Sequence, residues 1–373
     1  MQSVKRFIPV DASHPTRLRL SLSHPIHMPT ALRLNAFGLD NVANLSLEPT
    51  ELPALGPTDV HVRLRGASLN YRDLMVALGH YNPKMQLPRI LGSDAAGEVI
   101  AVGPAVTLFK PGDRVCTLFF QNWLDGEIQP LTGKSALGGP IDGVFATERI
   151  LPETGLIHAP AHLSFEEAAT LPCAALTAWN ALVEQGHLHA GQTVLVQGTG
   201  GVSLFALQIA RMHGATVILT SSSDEKLERA RRLGASHIIN YKSNPDWDKP
   251  AKNLTHNLGV DHVVEVGGQG TITKSLSAVR PSGHVHVIGV LSGTGPDAGA
   301  GIDVRSVLTK SVHLNGIYVG SRAMFTRMNA AIAANNLKPI VDRVFPLADA
   351  RAAFQHLQHG SHFGKIVLSL QPR

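Results

Sequence analysis

Hydrophobic positions follow two different periods along the chain, and the change between them divides it. From Met28 to about Pro160, apolar residues alternate with polar ones or form short runs between glycine and proline. Asp59-Val60-His61-Val62-Arg63-Leu64 puts an apolar side chain at every second position, the period of a half-buried strand. Residues 30–34, 96–103 and 112–115 read the same way. From Ala161 to Phe325, short apolar runs alternate with helical patterns, as in a parallel sheet covered by helices on both faces. Buried strands are predicted at 193–197, 216–220, 237–241, 261–266 and 284–288. A helix over 202–212 should stop at Gly214. Ser164 with Glu167, and Ser222 with Glu225, are capping-box pairs that each open a helix. Arg280-Pro281-Ser282-Gly283 reads as a turn before the last of those strands. From Met328 onward one helix and a strand over 365–370 are predicted, the strand rejoining the first half. The expected organisation is a basic tail (1–27), a β-rich unit (28–160), a doubly wound α/β unit (161–325) and a return segment (326–373).

Composition narrows the class. The 373 residues are 44% hydrophobic and 16% charged, enough apolar content for sizeable cores. No apolar run approaches the roughly 18 residues of a membrane span, so no membrane association is expected. Two cysteines, Cys116 and Cys173, cannot build a disulfide framework and point to a reducing, cytoplasmic setting. The net charge of +5 includes Lys5, Arg6, Arg17 and Arg19 against Asp11 alone in residues 1–27. No basic cluster interleaved with aromatics follows, so no nucleic-acid partner is expected. For residues 1–27 two readings stay open. One is a tail or upstream start, with Met28 as the alternative first residue. The other is a mitochondrial presequence, against which Pro9, Pro15 and Pro25 argue because such a signal needs an amphipathic helix.

The chemistry enters at Gly198-Thr199-Gly200-Gly201-Val202. A strand running into these glycines and then a helix lets backbone approach a pyrophosphate, and the helix N-terminus offers free N–H groups. Ser203 stands at the third glycine position and is expected to loosen the helix on its strand slightly. A glycine-rich turn serving another ligand is the alternative. About 20 residues on, where an acid would hold the ribose 2′-hydroxyl of NAD, stand Ser221 and Ser222. Hydroxyls with Lys226 suit a 2′-phosphate, so NADPH is preferred over NADH. Asp224, the counter-reading, is assigned to the first turn of the next helix.

Five stretches carry a family resemblance: Ser68-Leu69-Asn70-Tyr71-Arg72-Asp73, Leu91 to Gly97, Leu171 to Trp179, the Gly198 loop, and Phe363-Gly364-Lys365. From Met28 to the end the chain resembles the medium-chain dehydrogenase/reductase superfamily, most of all its zinc-independent, quinone oxidoreductase-like branch. The resemblance implies a GroES-like catalytic domain beside a Rossmann domain. In zinc-bearing members a Cys stands in place of Asn70, a His in place of Ser93, and the third ligand matches Cys173. One remaining thiol cannot hold a tetrahedral zinc, so no metal is expected, and Ser93 and Cys173 become substrate-pocket residues. His187-x-His189 and His284-x-His286 are substitutes in spacing only; the latter two share a strand face with no third ligand in view. Tyr81, eight residues beyond Asp73, matches a pocket tyrosine of quinone and 2-enoyl reductases and is the candidate proton donor, with Asn70 to orient the substrate oxygen. Thr177 matches a nicotinamide contact, Lys365 the C-terminal cofactor edge, and Tyr241 an adenosine-phosphate contact. Gly267 and Leu291 are further implied cofactor contacts.

The expected activity is NADPH-dependent hydride reduction of a quinone, enone or other carbonyl. Reversible alcohol dehydrogenation and non-catalytic NADPH binding remain as alternatives. The segment 309–323 matches a dimer seam of the family, so a homodimer is expected.

Overall fold

Six parallel strands form the centre of the second half, in the order His237–Asn240, Thr216–Ser221, Thr193–Gln197, Val260–Glu265, Val279–Val287, His313–Gly316. The order reverses between Thr193–Gln197 and Val260–Glu265, which opens a crevice at the carboxyl ends of those two strands. The computed structural model describes residues 28–39, 44–291 and 301–371; the basic segment 1–27 lies outside them. Val194, Leu195 and Val196 are all fully buried, because helices cover both sheet faces. Val194 and Val196 pack with Leu204 and Leu207 of the Gly201–Met212 helix, while Leu195 packs on the opposite face with Ile272 and Leu276. Among the described residues no helix is long and apolar enough to cross a membrane.

The first half and the C-terminal segment share a seven-stranded sheet. Its path runs Val341–Pro346, Lys365–Ser369, Asp59–Ser68, Asp94–Val102, Arg114–Thr117, Leu156–His158, with Glu148–Pro152 pairing on Asp59–Ser68. Antiparallel pairing of Val367 with Ser68 and of Ser68 with Asp94 brings the Lys365, Asn70 and Ser93 regions together at one end of this sheet. A smaller sheet joins Thr30–Leu34 to Leu45–Pro49 and Arg89–Ile90.

Several local expectations need correcting. The cap of the Asp224–Arg232 helix is Ser223, not Ser222: Ser223 Oγ accepts from Lys226 N at 3.3 Å, because the preceding strand runs on through Ser221. Residues 280–283 are not a turn ahead of a strand but a bulge within Val279–Val287, since pairing jumps from Val260/Val279 to His262/His284. The return segment holds an unforeseen strand, Val341–Pro346, parallel to Lys365–Ser369. The Arg322–Ala334 helix spans residue 325, where the α/β unit was expected to end, and packs on Leu176–Trp179. Ser203 does not loosen its helix: its Oγ donates to Gln197 O at 2.7 Å and ties helix to strand.

The His284/His286 pair also has company the sequence did not reveal. Register sets His262, His284 and His313 side by side on three neighbouring strands, with ring centroids 5.1 and 4.6 Å apart and nearly parallel planes. His286 stacks on His262, with 3.2 Å between His262 Nδ1 and His286 Nε2, and Gln192 Oε1 meets His262 Nε2 at 3.1 Å. Stacked rings do not converge on a point, and no group of described residues is arranged to hold a metal. Burial first, then His284 and Arg280, push the His262 pKa down to about 4 against the attraction of Asp261. An unfolded imidazole titrates near 6.5, so the unfolded chain takes up its proton first as pH falls. His262 stabilisation is therefore full above pH 6.5 and is lost as pH falls through about 4, a change on the order of 3 kcal/mol. Urea unfolding at pH 7.5 and 4.5 should show wild type losing more stability than His262→Asn; equal losses would contradict this.

Candidate active site

The glycine loop sits at the crevice. Gly198 adopts φ +75°, which a side chain would resist, and its N–H donates to Thr220 O at 2.7 Å. Gly200, the cap of the Gly201–Met212 helix, has only open space where a Cβ would project. That space in front of first-turn N–H groups is a cradle fit for a pyrophosphate. Gly364 N donates to Thr199 O at 3.0 Å, so the loop is held to the return segment as well as to its own strand.

Ser221 is buried at the end of the second strand, and Tyr241 N donates to its carbonyl at 3.1 Å. Asp224 accepts from Asn240 Nδ2 at 2.7 Å in the first helical turn. Lys226 Nζ is turned to Gly360 O at 2.9 Å, and Tyr241 is two-fifths exposed. Gly267 donates to Glu265 Oε1 at 2.8 Å and to Gln197 Oε1 at 3.3 Å. Leu291 is half exposed at the limit of the described chain. Glu265, which the sequence reading passed over, organises this turn. Fully buried, it accepts from Gln197 Nε2, Gly267 N and Gly268 N at 2.8 Å each, and from Thr271 and Ser275 hydroxyls. A carboxylic residue ending the fourth strand was its only signal.

The substrate end is a buried, charge-balanced cluster. Lys365, expected along the cofactor edge, lies against the phosphate loop: a Cβ on Gly201 would stand 2.4 Å from its Cδ. Its ammonium donates to Leu69 O at 2.6 Å and to Asn70 Oδ1 at 2.5 Å. Lys365 begins a strand that is paired on both of its edges, and its side chain lies in the core, 3% exposed. Burial lowers its pKa, and Asp94 opposes that. Asp94 itself is fully buried, which raises its pKa; it accepts from Ser93 Oγ at 2.6 Å and from Cys173 N at 3.0 Å. Ser93 therefore faces Asp94, and Cys173 presents a thiol whose pKa is raised first by burial, then by Asp94.

Asn70 opens the Tyr71–Ala77 helix, and its N–H donates to Asp73 Oδ2 at 2.8 Å. Asp73, fully buried, has its pKa raised by burial to about 6 against the pull of Arg72. An ammonium can only donate, so Lys365 fixes the Asn70 amide with Oδ1 inward. Asn70 Nδ2, with Asp94 beside it, meets no acceptor at hydrogen-bond geometry among the described residues. Thr177 is buried four residues beyond Cys173.

Tyr81 Oη lies 2.7 Å from Tyr318 Oη, a contact spanning the two halves of the chain. Tyr318 packs edge-on to Phe120 at 4.9 Å and also lines a cavity of about 510 Å³ with Trp123, Ile128, Asn180 and Met324. Sequence reasoning missed Tyr318, because it follows an edge strand with no motif around it.

The comparisons agree with this architecture. Residues 56–161 match the alcohol dehydrogenase GroES-like domain, and 201–334 match the zinc-binding dehydrogenase family. A zinc-type alcohol dehydrogenase-like protein of Schizosaccharomyces pombe is 45% identical over 87% of this chain and 95% of its own. A solved alcohol dehydrogenase-like protein of Sinorhizobium meliloti superposes with TM-score 0.84 at 42% identity, over 91% of this chain and 98% of that one. A solved quinone oxidoreductase of Pseudomonas syringae gives 0.77 at 30% identity, over 92% and 100%. With its GroES-like unit, its doubly wound sheet and its glycine loop set over a polar pocket, the chain belongs to the medium-chain dehydrogenase/reductase superfamily of nicotinamide-dependent oxidoreductases.

Proposed function

We propose that the protein reduces a conjugated carbonyl or quinone with NADPH and without a catalytic metal. The observation that carries this reading is the Lys365–Asn70 contact. Where zinc-bearing relatives of the resembled family place a cation, this chain has a buried ammonium, an amide and a protonated thiol, a donor set that does not suit zinc. The bound nicotinamide supplies the hydride. Asn70 Nδ2, whose amide is held through Oδ1 by Lys365, donates to the substrate oxygen as negative charge builds there. Tyr81 Oη holds a proton for the reduced product, and its exposure lets solvent replace it. Buried Thr177 and half-buried Cys173 shape the nicotinamide end of the pocket and exclude water.

NADPH oxidation with a panel of enones and quinones, run beside a metal count on the purified protein, tests the reading. Turnover in metal-free protein is the expected result. Stoichiometric zinc, or turnover of alcohols alone, would favour the alcohol dehydrogenase reading. Cofactor binding without any turnover would favour the non-catalytic one.

Ser221 at the strand end, with Ser222, Lys226 and Tyr241 near it and Asp224 tied to Asn240, suits a 2′-phosphate better than a bare ribose hydroxyl. NADPH should exceed NADH in kcat/KM by at least about tenfold, and Ser221→Asp should invert the order by introducing a like charge. An unchanged ratio in the variant would show that the preference is set elsewhere. The same reading carries a homodimer joined along the His313–Gly316 edge strand. Sedimentation as a monomer at micromolar concentration would sink it.

A further inference from the structure

Arg72 projects from the first turn of the Tyr71–Ala77 helix into the wall of the substrate pocket. Its side chain is 9% exposed, and the guanidinium carbon lies 5.1 Å from the Tyr81 ring centroid and 5.0 Å from that of Phe119. Only Nη1 is engaged, donating to Leu137 O at 2.8 Å and to Asp73 Oδ1 at 3.2 Å. Nε and Nη2 are buried and have no hydrogen-bond partner among the described residues. These two nitrogens form one straight edge of the guanidinium, the edge that receives a carboxylate through two parallel hydrogen bonds.

A buried donor left without an acceptor is costly, and here an entire edge is left so. Asp73 cannot serve it, because it already meets Nη1 on the other side. A Cβ on Gly139 would stand 2.8 Å from Nη2, so a glycine is what lets the backbone pass this close to the edge without crowding it further. Tyr81, two-fifths exposed, covers the guanidinium from the solvent side and is held by its hydroxyl contact to Tyr318.

We propose that the Nε–Nη2 edge of Arg72 binds a carboxylate carried by the substrate, so that the preferred substrate is an anionic conjugated carbonyl compound and not a neutral one. The inference rests on the reductase reading for the reacting end of the molecule and adds the group that docks it. Arg72 is thus a specificity residue: it holds the carboxylate while Asn70 and Tyr81 face the carbonyl.

A matched pair of substrates, 4-oxopent-2-enoate and its methyl ester, tests this with the full-length protein and NADPH. Wild type should favour the acid in kcat/KM by at least about 30-fold, as expected for a lost bidentate charge-assisted contact. Arg72→Lys keeps the charge but not the fork, and should cut that ratio at least about tenfold. Gly139→Ala, which leaves Arg72 in place and crowds Nη2, should lower the ratio while leaving the ester rate within about threefold. Calorimetric binding of saturated 4-oxopentanoate and its ester to the NADP⁺-loaded protein reads the same contact without turnover. Equal handling of acid and ester by wild type, or no effect of either substitution on the ratio, would overturn the proposal. If the ester is reduced but the acid is not preferred, only the carboxylate inference fails. If neither is reduced yet the keto acid binds in an Arg72-dependent way, the reductase reading fails and the anion site stands.

Discussion

Asn70→Leu should lower kcat by about 10²–10³ with little change in KM for NADPH, because it removes the donor that meets the developing oxyanion. Leucine also strips Lys365 of one acceptor, so some loss of stability is expected with it. Asn70→Asp separates the two effects. It keeps an acceptor for the ammonium, yet it presents an acceptor where the amide presented a donor. The aspartate variant sets a further carboxylate beside Asp94 and should lose some stability too, yet the folded protein should still bind NADPH and lose most of its kcat. Steady-state kinetics on both variants, with urea midpoints measured beside them, decides the matter. An aspartate variant within threefold of wild type in kcat would remove Asn70 from the chemistry.

Glu265→Ala should cost about 3–5 kcal/mol of unfolding free energy, since five donors lose a shared buried acceptor at once. The damage is local in space but reaches two elements. Gln197 ends the strand that feeds the phosphate loop, and the Gly267–Gly268 turn borders the same crevice. NADPH affinity should fall together with stability. Glu265→Gln, nearly the same shape but with an amide nitrogen set among donors, should lose less than alanine and still lose affinity. A Glu265→Ala protein with an unchanged urea midpoint would show that solvent replaces the carboxylate without penalty.

What could be read in advance followed from periodicity and turn chemistry. Thr193–Gln197 and Gly201–Met212 are visible because an apolar run, a glycine turn and a helical stripe follow one another, each constrained by its neighbours in sequence. Val341–Pro346 was invisible for the opposite reason: it is an edge strand, and Asp342 and Arg343 interrupt its alternation. The histidine ladder depends on register between three strands, which no single strand encodes. Ser223 displaced Ser222 as cap because the strand before it ran one residue further than expected, a shift that local propensity does not resolve. At the site, Asn70, Ser93 and Cys173 could be picked out by resemblance, but what each faces is set by Asp94 and Lys365, 271 positions apart in the chain and joined only by the sheet. Tyr318 and the free edge of Arg72 exist only once both halves of the chain are folded against each other.

Lys365 has a consequence for how such a pocket changes over evolutionary time. Its ammonium stands among Asn70, Asp94 and Cys173, so the cationic place in the pocket is already taken. Asn70→Cys with Ser93→His would restore the ligand types of zinc-bearing relatives, yet those ligands would surround a charge that repels a divalent ion. Removing the lysine first would leave Asp94 buried without its counter-charge, a state penalised by several kcal/mol. On the metal-free reading, each single substitution toward the metal-binding set therefore passes through a less stable pocket.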